Sequence, residues 1–306
     1  MFFIVLKNLI TLTIFIFIGL VCQKRKLLND EMAAGLSNLL INVILPCVII
    51  TSLKKPISRE LLLEAGLVFA ASVFIYFFGT LLAWVLCRVL GINARDGGVY
   101  LFALTFPNIA YMGFPVMRAA LGDDALFYAS VATVSFNLLA FTFGISLITK
   151  GYDTDRSVTP RKILLNPAII AIALGLVLFL TSARLPGPVD DALVTLGGMM
   201  TPVSMIIIGA LLAKDNPRQL AGDFKMYVMV GARLIITPVI TFLIFRLFIS
   251  NTLILGTLVL AAAMPAASIT AIFAKQRGAN ADLASRMVFV TTVLSIASIP
   301  LITFLL

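Results

Sequence analysis

The 306-residue chain is 61% hydrophobic and only 12% charged, with a mean hydropathy of +1.10, whereas a soluble domain carries about 25% charged residues. One soluble core cannot bury that much apolar surface, so lipid is the medium for most of the chain, and the class is an all-α, polytopic membrane protein. The net charge of +9 fits Lys/Arg-rich cytoplasmic loops better than a nucleic-acid surface, and the three cysteines (Cys22, Cys47, Cys87) form no CxxC pair, which argues against a disulfide framework or a zinc site.

The first apolar run, 2–22, is followed by Lys24, Arg25 and Lys26. That order is the reverse of a cleaved leader, so it reads as a retained first span. About 20 apolar residues cross the hydrocarbon core. On that measure nine further spans follow, at 31–53, 61–89, 97–120, 125–149, 162–182, 190–213, 225–249, 252–275 and 283–305. With the N-terminus outside, fifteen Lys and Arg residues fall in the cytoplasmic loops and seven in the outer ones, with Arg233 inside a span. The positive-inside bias therefore favours both termini outside, with Lys54-Lys55 the weak exception.

The longest loop lies at 151–162 and divides the chain into five spans before it (1–150) and five after it (163–306). Two equivalent units with an odd number of helices enter the membrane in opposite senses, so the expectation is an inverted repeat in which span 4 corresponds to span 9. Span 4 reads LTFPNIAYMGFPVMRAALGDDA and span 9 reads AAAMPAASITAIFAKQRGANADLA. Each breaks at a proline, Pro107 or Pro265, and runs on to a turn with glycine and an acid, Gly122-Asp123 or Gly278 with Asp282. Spans 2 and 7 match loosely, with NVILP ending at Pro46 and MMTP at Pro202.

A proline inside a helix removes a donor and frees an upstream carbonyl. In a bilayer such broken backbone is tolerated where it is buried in protein or lines a wet cavity. Paired breaks at corresponding depths point to a carrier's binding site, although a lone proline is more often a packing kink. If both spans unwind, the second half-helix of each turns its N-terminal amides toward mid-membrane, with about half a positive charge each. Two such ends suit a small carboxylate. The candidate binding residues are Pro107, Asn108 and Ile109 on span 4 and Pro265 and Ser268 on span 9. Asn42 and Asn137 lie at similar depth, each able to face a cavity or simply to bond between helices. Arg233, in YVMVGARLIITP, is open to three readings: substrate or gating contact, snorkelling to the cytoplasmic face, or satisfying freed carbonyls. There is no histidine and no cluster suited to a metal, so no cofactor and no enzymatic chemistry is expected.

The stretches NLLINVILPCVI (38–49), FPNIAYMGFPV (106–116), VSFNLLAFTFGI (134–145), NPAIIAIALGL (166–176), ARLIITPVI (232–240) and MPAASITAIFAKQRGANADLAS (264–285) together resemble the auxin efflux carrier family. The resemblance implies two five-helix repeats with helices 4 and 9 crossing at prolines, a transport unit, and a scaffold through which the protein forms homodimers. It also implies secondary transport of an organic anion without a cofactor. The short central loop, and a third span (GLVFAASVFIYFFGTLLAWVL) that carries no charge, favour bacterial members that move malonate- or malate-like acids across the inner membrane. Two other functions compete. A sodium-coupled carrier of the bile-acid type would need acidic ligands at the crossover, and no Asp or Glu occurs at that depth. A membrane sensor would need an output domain, for which no loop has room.

Overall fold

The computed structural model describes residues 2–54, 58–152, 165–181, 183, 185–214 and 223–306. The sequence-predicted linker 151–162 lies outside them except for Gly151 and Tyr152. The described chain is helical and contains no strand, only an isolated bridge between Pro107 and Ala266. In chain order the helices are α1 (Phe2–Lys24), α2 (Asp30–Leu53), α3 (Arg59–Val89), α4 (Ala94–Thr105), α5 (Ile109–Leu121) and α6 (Ala125–Ile148). They continue as α7 (Pro167–Thr181), α8 (Gly187–Ala213), α9 (Phe224–Phe245), α10 (Thr252–Ala263), α11 (Ile269–Gln276) and α12 (Ala281–Thr303). Six of these, α2, α3, α6, α8, α9 and α12, are long and apolar enough to cross a membrane, and shorter apolar helices accompany them.

Helix starts follow local chemistry. Asn29, Asn93, Asp223, Asn251 and Asn280 each accept a backbone N–H of the first turn with a side-chain oxygen. Among the described residues four helices widen into a π turn, at Leu40–Ile44, Ile109–Gly113, Ala140–Gly144 and Ala232–Ile236. Three of the four are followed two residues on by a proline, Pro46, Pro115 or Pro238. The cause is steric. A proline ring collides with the carbonyl four residues upstream and offers it no donor. Letting the Leu45 N–H reach back to Leu40 O, and the Thr237 N–H to Ala232 O, widens the turn and carries the helix past the obstacle.

Two compact units divide the chain, each drawing on both sequence halves. The first contains Met1–Phe69, Ala110–Val134 and Pro160–Lys214. Within it α1 and α8 lie almost backbone to backbone. A Cβ at Gly209 would stand 1.9 Å from Ile16 O, and one at Gly19 would stand 2.1 Å from Ile206 O. Glycine is required there because any side chain would have to occupy the space of the opposite main chain. The second unit contains Ala70–Ile109, Ser135–Thr159 and Asp215–Leu306. It holds the interruption between α4 and α5 and the one between α10 and α11.

Candidate functional site

Each interruption begins on the residue before a proline. Phe106 is extended (φ −104, ψ 113) ahead of Pro107, and Met264 is extended (φ −64, ψ 147) ahead of Pro265. The proline ring excludes the helical conformation from its predecessor, so the two helices stop where the sequence requires. The extended pieces then pair antiparallel, with Pro107 opposite Ala266. Asn108 N–H donates to Pro265 O at 2.8 Å, and Ala267 N–H donates to Phe106 O at 3.0 Å. A third donor, Ala266 N–H, reaches Thr291 Oγ1 on α12 at 3.1 Å. Backbone groups released by the breaks are thus satisfied inside the protein.

Arg233 completes the arrangement. It sits on the π turn of α9 and is 1% exposed. Its Nε donates to Met264 O at 3.0 Å and its Nη1 to Leu104 O at 2.9 Å. Those carbonyls end α10 and α4, where the helix dipoles are negative. The guanidinium therefore bridges the two broken helices. Its Nη2 is buried and has no hydrogen-bond partner. Of the three readings open in the sequence, snorkelling is excluded by this burial.

Beyond the crossing the chain resumes as helix at Ile109 and Ile269. Asn108 is 4% exposed, and its Nδ2 donates to Ser268 Oγ at 3.2 Å. Around Phe106 stands an aromatic wall, with Phe102, Tyr76 and Phe136 at ring-centre distances of 4.7, 5.7 and 5.8 Å. Gly144 makes room for it, since a Cβ there would come within 2.8 Å of both Phe102 and Phe106. The Tyr76 phenol shares a hydrogen bond with Ser135.

Pro107, Asn108, Ile109, Pro265, Ser268 and Arg233 therefore meet in one place. Asn137 is buried on α6, next in sequence to the Phe136 that touches Phe106. Asn42 belongs to the first unit, is exposed, and donates Nδ2 to Asn38 O of its own helix at 2.8 Å. Sequence reading missed Thr291, Tyr76 and the carbonyls of Leu104 and Met264. A side-chain inventory is blind to backbone acceptors, and a threonine back-bonded to its own helix carries no distinguishing pattern.

The crossover gathers buried donors and helix ends around interrupted backbone. A family model described as membrane transport protein matches residues 4–303. An uncharacterized transporter of Methanothermobacter thermautotrophicus is 27% identical over 303 residues, covering 96% of each chain. A protein of Rhizobium meliloti provisionally named a malonate transporter is 24% identical over 212 residues, covering 67% of this chain and 66% of its own. An uncharacterized transporter of Methanocaldococcus jannaschii is 24% identical over 302 residues, covering 94% of each. With nearly its whole length matched, this multi-pass membrane protein is a transporter and not an enzyme, and it belongs to the membrane transport protein family to which the auxin efflux carriers also belong.

Proposed function

We propose that the protein is a secondary carrier that moves a small organic anion of the malonate or malate kind by alternating access, with the carboxylate held at the crossover. In this reading ten spans form two inverted five-helix repeats, helices 4 and 9 are the interrupted pair, and both termini lie outside the bacterial inner membrane. The carrier works as a homodimer joined through a scaffold unit. Asn108 and Ser268 offer side-chain donors to the carboxylate, and the amide ends of α5 and α11 offer positive potential. Pro107, Ile109 and Pro265 shape the backbone around it. Asn137 lines the same region, and Arg233 supplies the nearby cation.

The observation that carries the reading is the mutual pairing of the two breaks, through Asn108 N–H to Pro265 O and Ala267 N–H to Phe106 O. Kinks that served packing alone would have no reason to fall opposite one another and to gather Asn108, Ser268 and a buried arginine. The provisional name of the Rhizobium meliloti relative supports a short dicarboxylic acid or its near kin.

Uptake into liposomes holding the purified protein, against a panel of mono- and dicarboxylates with and without sodium and a pH gradient, tests it. Asn108→Ala removes one donor to a charged acceptor, so uptake is expected to fall about tenfold or more while the melting temperature stays close to that of the wild type. Unchanged uptake in that variant, or a wild type that carries no member of the panel, would end the reading.

A further inference from the structure

The crossover brings together four helix ends and one full charge. Helices α4 and α10 end there, at carbonyls Leu104 O and Met264 O, and α5 and α11 begin there, at Ile109 and Ile269. A helix end carries roughly half an elementary charge, negative at the carboxyl end and positive at the amino end. The two carboxyl ends thus amount to about one negative charge, and the two amino ends to about one positive charge. Arg233 is bonded only to the first pair. Among the described residues no acid forms an ion pair with it, and α9 through α11 and on to Ala281 hold no Asp or Glu at all. The titratable side chain that interacts with it is Tyr76, which brings a phenol O–H and no carboxylate.

We propose that Arg233 fixes the charge number of the transported solute. Its guanidinium cancels the negative ends of α4 and α10, and the positive ends of α5 and α11 are left to balance a single carboxylate. The buried Nη2, which no protein group engages, is the third donor of the fork and serves that carboxylate. A solute with one negative charge leaves the crossover neutral. A doubly charged one leaves an excess negative charge at bilayer depth, where it is costly, and must bring a proton or another cation with it. Without Arg233 the four ends already cancel, and an uncharged solute fits as well as an anion. This rests on the crossover being the solute site, and it adds what that reading leaves open, namely how many charges the site accepts and which residue decides it.

Three solutes of nearly equal size separate the cases: dianionic malonate, monoanionic malonamate and neutral malonamide. Binding and uptake are measured for the wild type, Arg233→Gln and Arg233→Lys at a pH where malonate is fully ionised. In the wild type malonamate is expected to bind tighter than malonate, and malonamide weakly. In Arg233→Gln the preference for malonamate over malonamide is expected to shrink about tenfold or more. In Arg233→Lys it is expected to persist with weaker binding of both, because the charge remains but the fork is lost. A role confined to bracing the helices would lower binding of all three solutes alike and leave the ratio unmoved, and that result overturns the proposal. Should Arg233→Gln fail to fold, the wild type decides alone, since fully ionised malonate outcompeting malonamate also overturns it. A wild type that binds no carboxylate in the wider panel instead removes the solute site itself, and the two failures are told apart by that arm.

Discussion

In the unit made of Met1–Phe69, Ala110–Val134 and Pro160–Lys214, helices come together by dispensing with side chains; in the other they come together by interrupting the backbone. Gly19 and Gly209 let α1 and α8 touch main chain to main chain, and Gly175 admits Leu53 against α7. Glycines serve the second unit as well, at Gly98 and Gly144. What sets it apart is polarity. Of the eighteen buried polar or charged residues described, only Ser130, Thr133 and Ser204 belong to the first unit, and the other fifteen, Asn108, Arg233 and Thr291 among them, belong to the second. The two units are of similar length, so size does not explain the difference. Unbroken helices satisfy their own backbone and need only a close apolar fit, which in lipid depends on van der Waals contact and small residues. Broken helices release amides and carbonyls that the bilayer cannot solvate, and each must find a partner in the protein. In the proposed reading the groups that meet this structural demand also hold the solute.

The hardest blow to the first unit is Gly209→Leu. Its Cβ would fall 1.9 Å from Ile16 O, and the obstacle is backbone rather than a side chain that could swing away. A loss of about 3 kcal/mol or more is expected, seen as a large drop in melting temperature in detergent or as failure to assemble. A variant as stable as the wild type would mean that α1 and α8 do not approach this closely, and the contrast between the units would lose its first half.

The helices were legible as apolar runs of the right length, and both interruptions were legible because proline is a local signal. Pro107 and Pro265 fix the conformations of Phe106 and Met264 whatever surrounds them. The π turns were legible only afterwards, as the pattern of widened turn then proline at Pro46, Pro115 and Pro238, and the one at Ala140–Gly144 has no proline to announce it. Arg233 was visible as a charge out of place, but its partners were not, since both are main-chain carbonyls on helices 129 and 31 residues distant in sequence. Asn42 looked equivalent to Asn108 by depth. The difference between them is tertiary, because one side chain faces its own helix and the other a second broken helix.

Thr291→Val probes the second unit at smaller cost. The change keeps the shape and removes the oxygen that receives Ala266 N–H, while Thr291 itself donates to Met287 O. The amide is left buried and unpaired, which costs about 1–3 kcal/mol. Because Ala266 belongs to the paired stretch, uptake is expected to fall together with stability. A stable but inactive protein, or an active one with unchanged melting, would show that this amide is not what holds the crossing in register.

The smallest effect is expected where the first unit does use charge. Lys54 and Asp190 form an ion pair with side chains 32% and 28% exposed. Lys54 stands at the carboxyl end of α2, and Asp190 lies in the first turn of α8. Each is therefore already favoured by its own helix dipole, and the pair adds little to what the ends supply. Partly exposed pairs of this kind contribute about 0–1 kcal/mol. A double-mutant cycle on Lys54→Ala and Asp190→Ala is expected to return a coupling within that range, smaller than the loss from Thr291→Val and reduced further by salt. A coupling larger than the Thr291→Val loss would place a decisive polar contact in the unit that otherwise relies on close packing, and the division of labour between packing and polar satisfaction would no longer follow the boundary between the units.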